Sequence, residues 1–196
     1  MRFGGLEAAN VNADLSLGDL SLTYTFCPTF LGAHYTVSVS IPYVWVDVEA
    51  FEEQLKAAHQ HLACTELVKA EAAFEAATWL YQGEFLADDP YEQWAMVVRE
   101  HLRLCYLDAL DRLGALRLDS ADYAGCVAAC LKLLACDSCR EDAHCRLMRC
   151  YSRQGQVQLA LRQYHSCAVA LRTELEVDPA PATIELFNHI RRREYI

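Results

Sequence analysis

Ten of the 196 residues are cysteines, and the pair with the most chemical promise is Cys136-Asp-Ser-Cys139. Cys126 and Cys130 precede it one helical turn apart, and His144, Cys145 and Cys150 follow it. A structural zinc takes four Cys or His ligands, usually as two close pairs. Cys136 and Cys139 could supply one pair, with His144 or Cys145 contributing to the other; the same CxxC could serve as a thiol–disulfide switch. Packing competes with both readings. Cys126 and Cys130 fall at core positions of a helical pattern, and Cys145 and Cys150 lie within a helix that packing already explains. In a reducing cytosol cysteine behaves as a small hydrophobe. The preferred reading is therefore packed thiols with no metal and no cofactor, leaving Cys136, Cys139, His144 and Cys145 as the candidate ligand set.

Enzymatic constellations are not found. The seven histidines, at 34, 59, 61, 101, 144, 165 and 189, include no HExxH pair. No glycine-rich phosphate loop or GxSxG elbow occurs. Asp88-Asp89 and Glu52-Glu53 read as helix-start and solvated-face charges. The expectation is a protein without catalytic residues. Trp79, Tyr81, Phe85, Tyr91 and Trp94 cluster about one helix–helix turn; such a cluster is mostly core, but part of it could anchor a partner protein, because Trp and Tyr are favoured at binding hot spots.

The elements that would position these residues follow from composition and period. Apolar residues make up 54% of the chain, enough for a packed core. No apolar run reaches the length of a membrane span, and no secretory leader is apparent, so the expected compartment is the cytoplasm. Residues 1–46, 47–139 and 140–196 carry net charges of −2, −10 and +2. DNA affinity rests largely on phosphate neutralisation, so the acidic middle is not a DNA-binding face. Arg191 to Arg193 read as charges complementing a helix C-terminus.

Within residues 1–46, Leu20 to Phe26 and Tyr35 to Ile41 alternate apolar and small polar residues, and Pro28 and Gly32 lie between them. The pattern predicts a β-hairpin. From Asp47 the period becomes helical. Seven helices are predicted, at about 48–62, 65–81, 91–118, 122–136, 140–154, 156–175 and 182–193. Asp47 is a candidate N-cap, Gly83 closes the second helix, and Asp88-Asp89-Pro90 opens the third.

A shift of 34 residues brings Asp108-Ala109 onto Asp142-Ala143 and Arg112-Leu113 onto Arg146-Leu147. It also places Cys126 on Ala160 and Cys130 on Tyr164. That is the period of tetratricopeptide repeats, with Gly114, Cys126 and Ala160 in the small-residue slots. Since a helix pair cannot bury its apolar face alone, the flanking helices must complete the stack as divergent repeats or caps. The predicted fold is mainly α, a right-handed tetratricopeptide-like solenoid of about seven helices over residues 47–196, preceded by a short hairpin segment.

The order of several short motifs sharpens this. Val44-Trp-Val-Asp-Val-Glu-Ala-Phe51, Tyr81-Gln-Gly-Glu-Phe-Leu86, Tyr91-Glu-Gln-Trp94, Arg99-Glu-His-Leu102, Arg140-Glu-Asp-Ala-His144, Gly155 to Leu161 and Glu174 to Pro179 resemble, in sequence order, bacterial transcriptional activator domains. These occur in regulators such as the Streptomyces antibiotic regulatory proteins. The resemblance covers about Val44 to Arg193. It implies a helical module following a winged-helix DNA-binding domain and acting through self-association or contacts with the transcription machinery. Only about 46 residues precede the module, and they lack a basic amphipathic helix. The hairpin is thus expected to be a remnant of, or link to, a winged domain, and DNA contact is expected only through a missing or neighbouring one. The implied function is a regulatory protein–protein interaction module, expected to be a homodimer. A small-molecule effector sensor and a zinc or thiol sensor are the alternatives.

Overall fold

The computed structural model describes residues 9–11, 21–26, 35–40, 47–85 and 93–193. They fall into two compact units, Met1–Val46 and Asp47–Ile196. In the first unit three strands, β1 (Ala9–Val11), β2 (Ser21–Phe26) and β3 (Tyr35–Ser40), pair antiparallel in that order. Ala9 lies opposite Phe26, and β2 runs against β3 from Ser21·Ser40 to Phe26·Tyr35.

The described residues of the second unit form seven helices. These are α1 (Asp47–Ala63), α2 (Leu67–Leu80), α3 (Gln93–Asp119), α4 (Tyr123–Cys136), α5 (Glu141–Arg153), α6 (Val157–Glu174) and α7 (Pro181–Arg192). The Asp88-Asp89-Pro90 start signal lies outside the described residues. The pairs α1·α2, α3·α4 and α5·α6 are helical hairpins, each packed against the next, and α7 packs on α5 and α6.

All three hairpins turn the same way. Thr65, Ala121 and Gly155 each stand two residues ahead of the second helix, in the left-handed region at φ 59°, 62° and 76°. In the first and third turns the amides of Glu66 and Gln156 reach back to the carbonyls of His61 and Tyr151, at 2.9 and 2.8 Å. Those reverse bonds satisfy carbonyls orphaned at the helix end. Only Gly155 adopts this conformation without a steric cost.

Aligning the turns makes positions comparable across the repeat. Ala70, Cys126 and Ala160 coincide, as do Ala77, Leu133 and Cys167; all six are fully buried. The expected small-residue slot thus extends to α2, and the first hairpin is a third repeat displaced by 56 residues from the second. One core runs from Phe51 through Phe74, Leu110 and Leu133 to Leu147. A smaller one, around Met148, Ala160, Leu186 and Ile190, seals the last hairpin against α7. Local signals agree with the helix starts. Asp122 caps α4 by accepting a hydrogen bond from the Gly125 amide at 3.0 Å, and Pro181 occupies the first turn of α7.

Candidate functional site

Three thiols meet inside the second and third hairpins. Cys126, Cys130 and Cys150 are all buried, and the Sγ atoms of Cys126 and Cys130 are 4.0 Å apart. A Cβ on Gly114 would lie 3.3 Å from Cys130 Sγ, so glycine there lets α3 approach the thiol-bearing face of α4. The hydrogen bond that Cys126 takes up, together with burial, keeps Cys130 and Cys150 protonated well above the ordinary thiol range. Burial likewise pushes Cys167 up to about 12. Cys126, which accepts from Cys130 and Cys150, is drawn the other way, below the ordinary thiol range. Thiols held neutral in apolar surroundings, as Cys130, Cys150 and Cys167 are, make poor nucleophiles and poor metal ligands.

The four candidate ligands turn to different neighbours. Cys136 is exposed at the end of α4. The Cys139 thiol faces Glu174 Oε2 at 3.5 Å and the Ala170 carbonyl at 3.7 Å, both on α6. His144 is buried and uses both ring nitrogens. Nε2 donates to the Ser138 carbonyl at 3.0 Å, and Nδ1 accepts from the Gln163 amide at 2.6 Å, an assignment that fits a neutral imidazole. Burial holds this histidine below its ordinary pKa, against the opposing pull of the Ser138 carbonyl and the charges of Glu141 and Asp142. Cys145 contacts the Thr183 hydroxyl on α7 at 3.2 Å. Among the described residues no group of three or more His, Cys, Asp or Glu side chains is arranged to hold a metal ion.

The aromatic candidates also separate. Tyr81 stacks on Tyr106, with ring centroids 4.2 Å apart and planes 14° apart, and meets Phe51 at 5.9 Å. Burial raises the phenols of Tyr81 and Tyr106 above their ordinary value. Tyr81 and Phe85 line one open cavity of 350 Å³ with Phe51, Leu80 and Leu102. Trp79 does not join them; its side chain is 71% exposed on the outer face of α2. Tyr91 and the Trp94 side chain lie outside the described residues.

Two ionic networks had no distinct sequence signature, because each joins residues far apart in the chain. Asp111 on α3 bonds Arg146 on α5 at 2.7 Å, and Arg140 and Asp142 complete the set at 3.3–3.5 Å. Arg117 near the end of α3 reaches Glu71 at 3.0 Å and Glu75 at 2.6 Å on α2, and Asp122 at the start of α4 at 3.8 Å. Each network fixes one hairpin against the next. The geometry is that of a scaffold: stacked hairpins, buried thiols inside, and charged clamps between repeats.

Residues 46–191 match the bacterial transcriptional activator domain. The chain belongs to that family. As one of these activator domains it is similar in structure to Mycobacterium tuberculosis EmbR in complex with a low-affinity phosphopeptide, with a TM-score of 0.66 at 21% identity. The match covers 81% of this chain and 42% of EmbR, so the chain spans about two fifths of that protein's length. The TPR2B domain of yeast Sti1, solved with pHsp70, aligns at TM-score 0.52 and 11% identity over 74% of this chain and 99% of that one. The C-terminal TPR-containing domain of a Plasmodium falciparum FK506-binding protein aligns at 0.54 and 12%, over 77% and 94%. At these identities the likeness is one of fold, and the fold is tetratricopeptide-like. No curated protein matches by sequence. Among the described residues no helix is long and apolar enough to cross a membrane.

Proposed function

We propose that the chain is a regulatory protein–protein interaction and self-association module of a bacterial transcriptional activator. The observation that carries the reading is the family match across 46–191, over a unit built as three equivalent helical hairpins. Stacked hairpins offer extended faces to other chains, which is how solenoids usually act. The Cys130, Cys150 and Cys167 thiols are held neutral, and His144 is spent on internal hydrogen bonds, so these groups serve packing rather than catalysis.

The charge layout supports a division of labour. Residues 47–139 carry −10, so they repel a phosphate backbone, and DNA would be read by a winged-helix domain beside this unit. The strands of residues 1–46 fit a link to such a domain. The cytoplasm is the compartment such a regulator would occupy. A second reading, sensing of a small effector, has one observation in its favour: the open cavity beneath Tyr81 and Phe85.

Sedimentation of the reduced chain from about 1 to 100 μM, a range bracketing weak specific association, tests the leading reading. A mass rising from 22.1 kDa toward twice that value supports self-association. A mass fixed at 22.1 kDa across the range removes it.

A further inference from the structure

Outward-facing residues of the second helices repeat as regularly as the buried ones. On α2 the exposed stripe is Val68, Ala72, Glu75 and Trp79; at the equivalent positions of α4 it is Ala124, Ala128, Leu131 and Ala135. Val68 is 83% exposed, Trp79 71% and Leu131 50%. The inner faces of both helices are buried core, through Ala70, Phe74 and Ala77 on α2 and Cys126, Cys130 and Leu133 on α4. Both helices are therefore apolar nearly all round, the pattern of a helix covered on every side. The stripe stops at the third hairpin. The equivalent positions on α6 are Gln158, Arg162, His165 and Val169.

We infer that the outer faces of α2 and α4 are covered by the same two helices of a second copy of this chain. The inference rests on the self-association reading and names its surface. Alternate helices of an up-and-down series, α2 and α4 run in the same direction, and Arg117 ties them together by bonding Glu71 and Glu75 on one and Asp122 at the start of the other. A two-fold axis lying between and along them sets α2 of one copy on α4 of the other, residue on repeat equivalent. Val68 then meets Ala124, Ala72 meets Ala128, Glu75 meets Leu131, and Trp79 meets Ala135. At the three apolar pairs no two bulky side chains collide, and the spacing of four, three and four is that of a helix–helix seam. Such an isologous contact closes on itself as a dimer.

Charge points to the same occupant. The chain carries −10, yet the stripe has one charged residue, Glu75, already bonded to Arg117. Beside the facing stripe, next to Leu131, stands the exposed Lys132, which would reach that carboxylate from the second copy. Each copy thus brings both halves of the complement. Size sets the strength. Two helices of 14 residues, bridged through Arg117 rather than packed on one another, each present a face about 21 Å long and about 10 Å wide, together roughly 400 Å² in projection. That compares with about 800 Å² of accessible surface per partner in a standard specific interface, so association is expected in the micromolar range.

The test is sedimentation of the reduced 196-residue chain beside Trp79→Glu, Ala128→Glu, and the double variant Trp79→Glu/Ala135→Lys. Far-UV circular dichroism of each must match the wild type; all three positions are exposed, and Ala128→Glu serves if Trp79→Glu misfolds. Each single variant is expected to weaken association at least about thirtyfold, because it buries a carboxylate opposite an alanine in the seam. The double variant should recover most of it, because the carboxylate introduced at position 79 then faces the ammonium introduced at position 135 of the second copy. Wild-type association that survives both single changes overturns this surface and leaves the self-association reading standing. Loss in the single variants without recovery in the double overturns the residue pairing. A wild-type chain at 22.1 kDa throughout overturns the surface and the reading together.

Discussion

Gly155 and Thr65 hold the same left-handed backbone in equivalent turns, one without a side chain and one with a β-branched one. For a residue with a Cβ that conformation costs about 1–2 kcal/mol. Gly155→Ala is therefore expected to destabilise the unit by about 1 kcal/mol, while Thr65→Gly or Ala121→Gly should stabilise it by up to about 1 kcal/mol, the relief being partly offset by a freer unfolded chain. Urea midpoints at unchanged slope would show it; a stabilising Gly155→Ala, or a destabilising Thr65→Gly and Ala121→Gly, would refute the shared turn geometry. His144 sets a pH dependence at the same scale. Its folded pKa is below the unfolded value near 6.5, so the unfolded chain takes up the proton first. Its contribution is complete above about pH 6.5 and is lost as pH falls toward the folded value. The melting temperature should drop between about pH 7 and about pH 5.5, and His144→Gln should flatten that drop while lowering the melting temperature at neutral pH.

At the scale of elements, the charged clamps carry register between hairpins. Arg146 is buried to 15% exposure against Asp111 and Asp142. Without it two carboxylates face each other with Arg140 alone, and burial already raises Asp111 above its ordinary value. Arg146→Ala is expected to cost about 3 kcal/mol, within the range for breaking a largely buried pair, and to be partly reversed by Asp111→Asn in the same chain. Denaturant unfolding of the four members of that cycle measures the coupling. Such clamps are illegible in a sequence, since Asp111 and Arg146 look like surface charges until α3 and α5 are set side by side. The elements themselves were largely legible. Apolar stripes placed all seven helices within a few residues, and the 34-residue shift joined α4 to α6. The first hairpin escaped that shift because it is displaced by 56 residues and its turn carries Thr65 where glycine would have marked it. Spacing also suggested a shared site for Cys136, Cys139, His144 and Cys145. Helix geometry instead sends Cys139 and His144 toward α6 and Cys145 toward α7. Tyr81 was legible as part of a mostly core aromatic cluster, but its stacking partner, the Tyr106 ring, was not.

At the scale of the whole helical unit, the core among the described residues is two clusters in series. Phe51 to Leu147 form the first, Met148 with Ala160, Leu186 and Ile190 the second, and Tyr151 packs against both. Stability in such an array is close to a sum of local and nearest-neighbour contributions, so one end can open while the rest stays folded. The second cluster is the smaller and depends on a single twelve-residue helix, α7, to cover α5 and α6. Ile190 is 1% exposed at its centre, so Ile190→Ala should remove about 3 kcal/mol there by lost burial and an unfilled cavity. The loss should appear locally. Amide exchange in α6 and α7 is expected to accelerate by roughly a hundredfold or more, while α1 to α4 keep the protection of the wild type until global unfolding takes over. Uniform acceleration along the chain would instead mean that the three hairpins unfold as one unit, and that the Tyr151 contact couples the two clusters as tightly as each is held within itself.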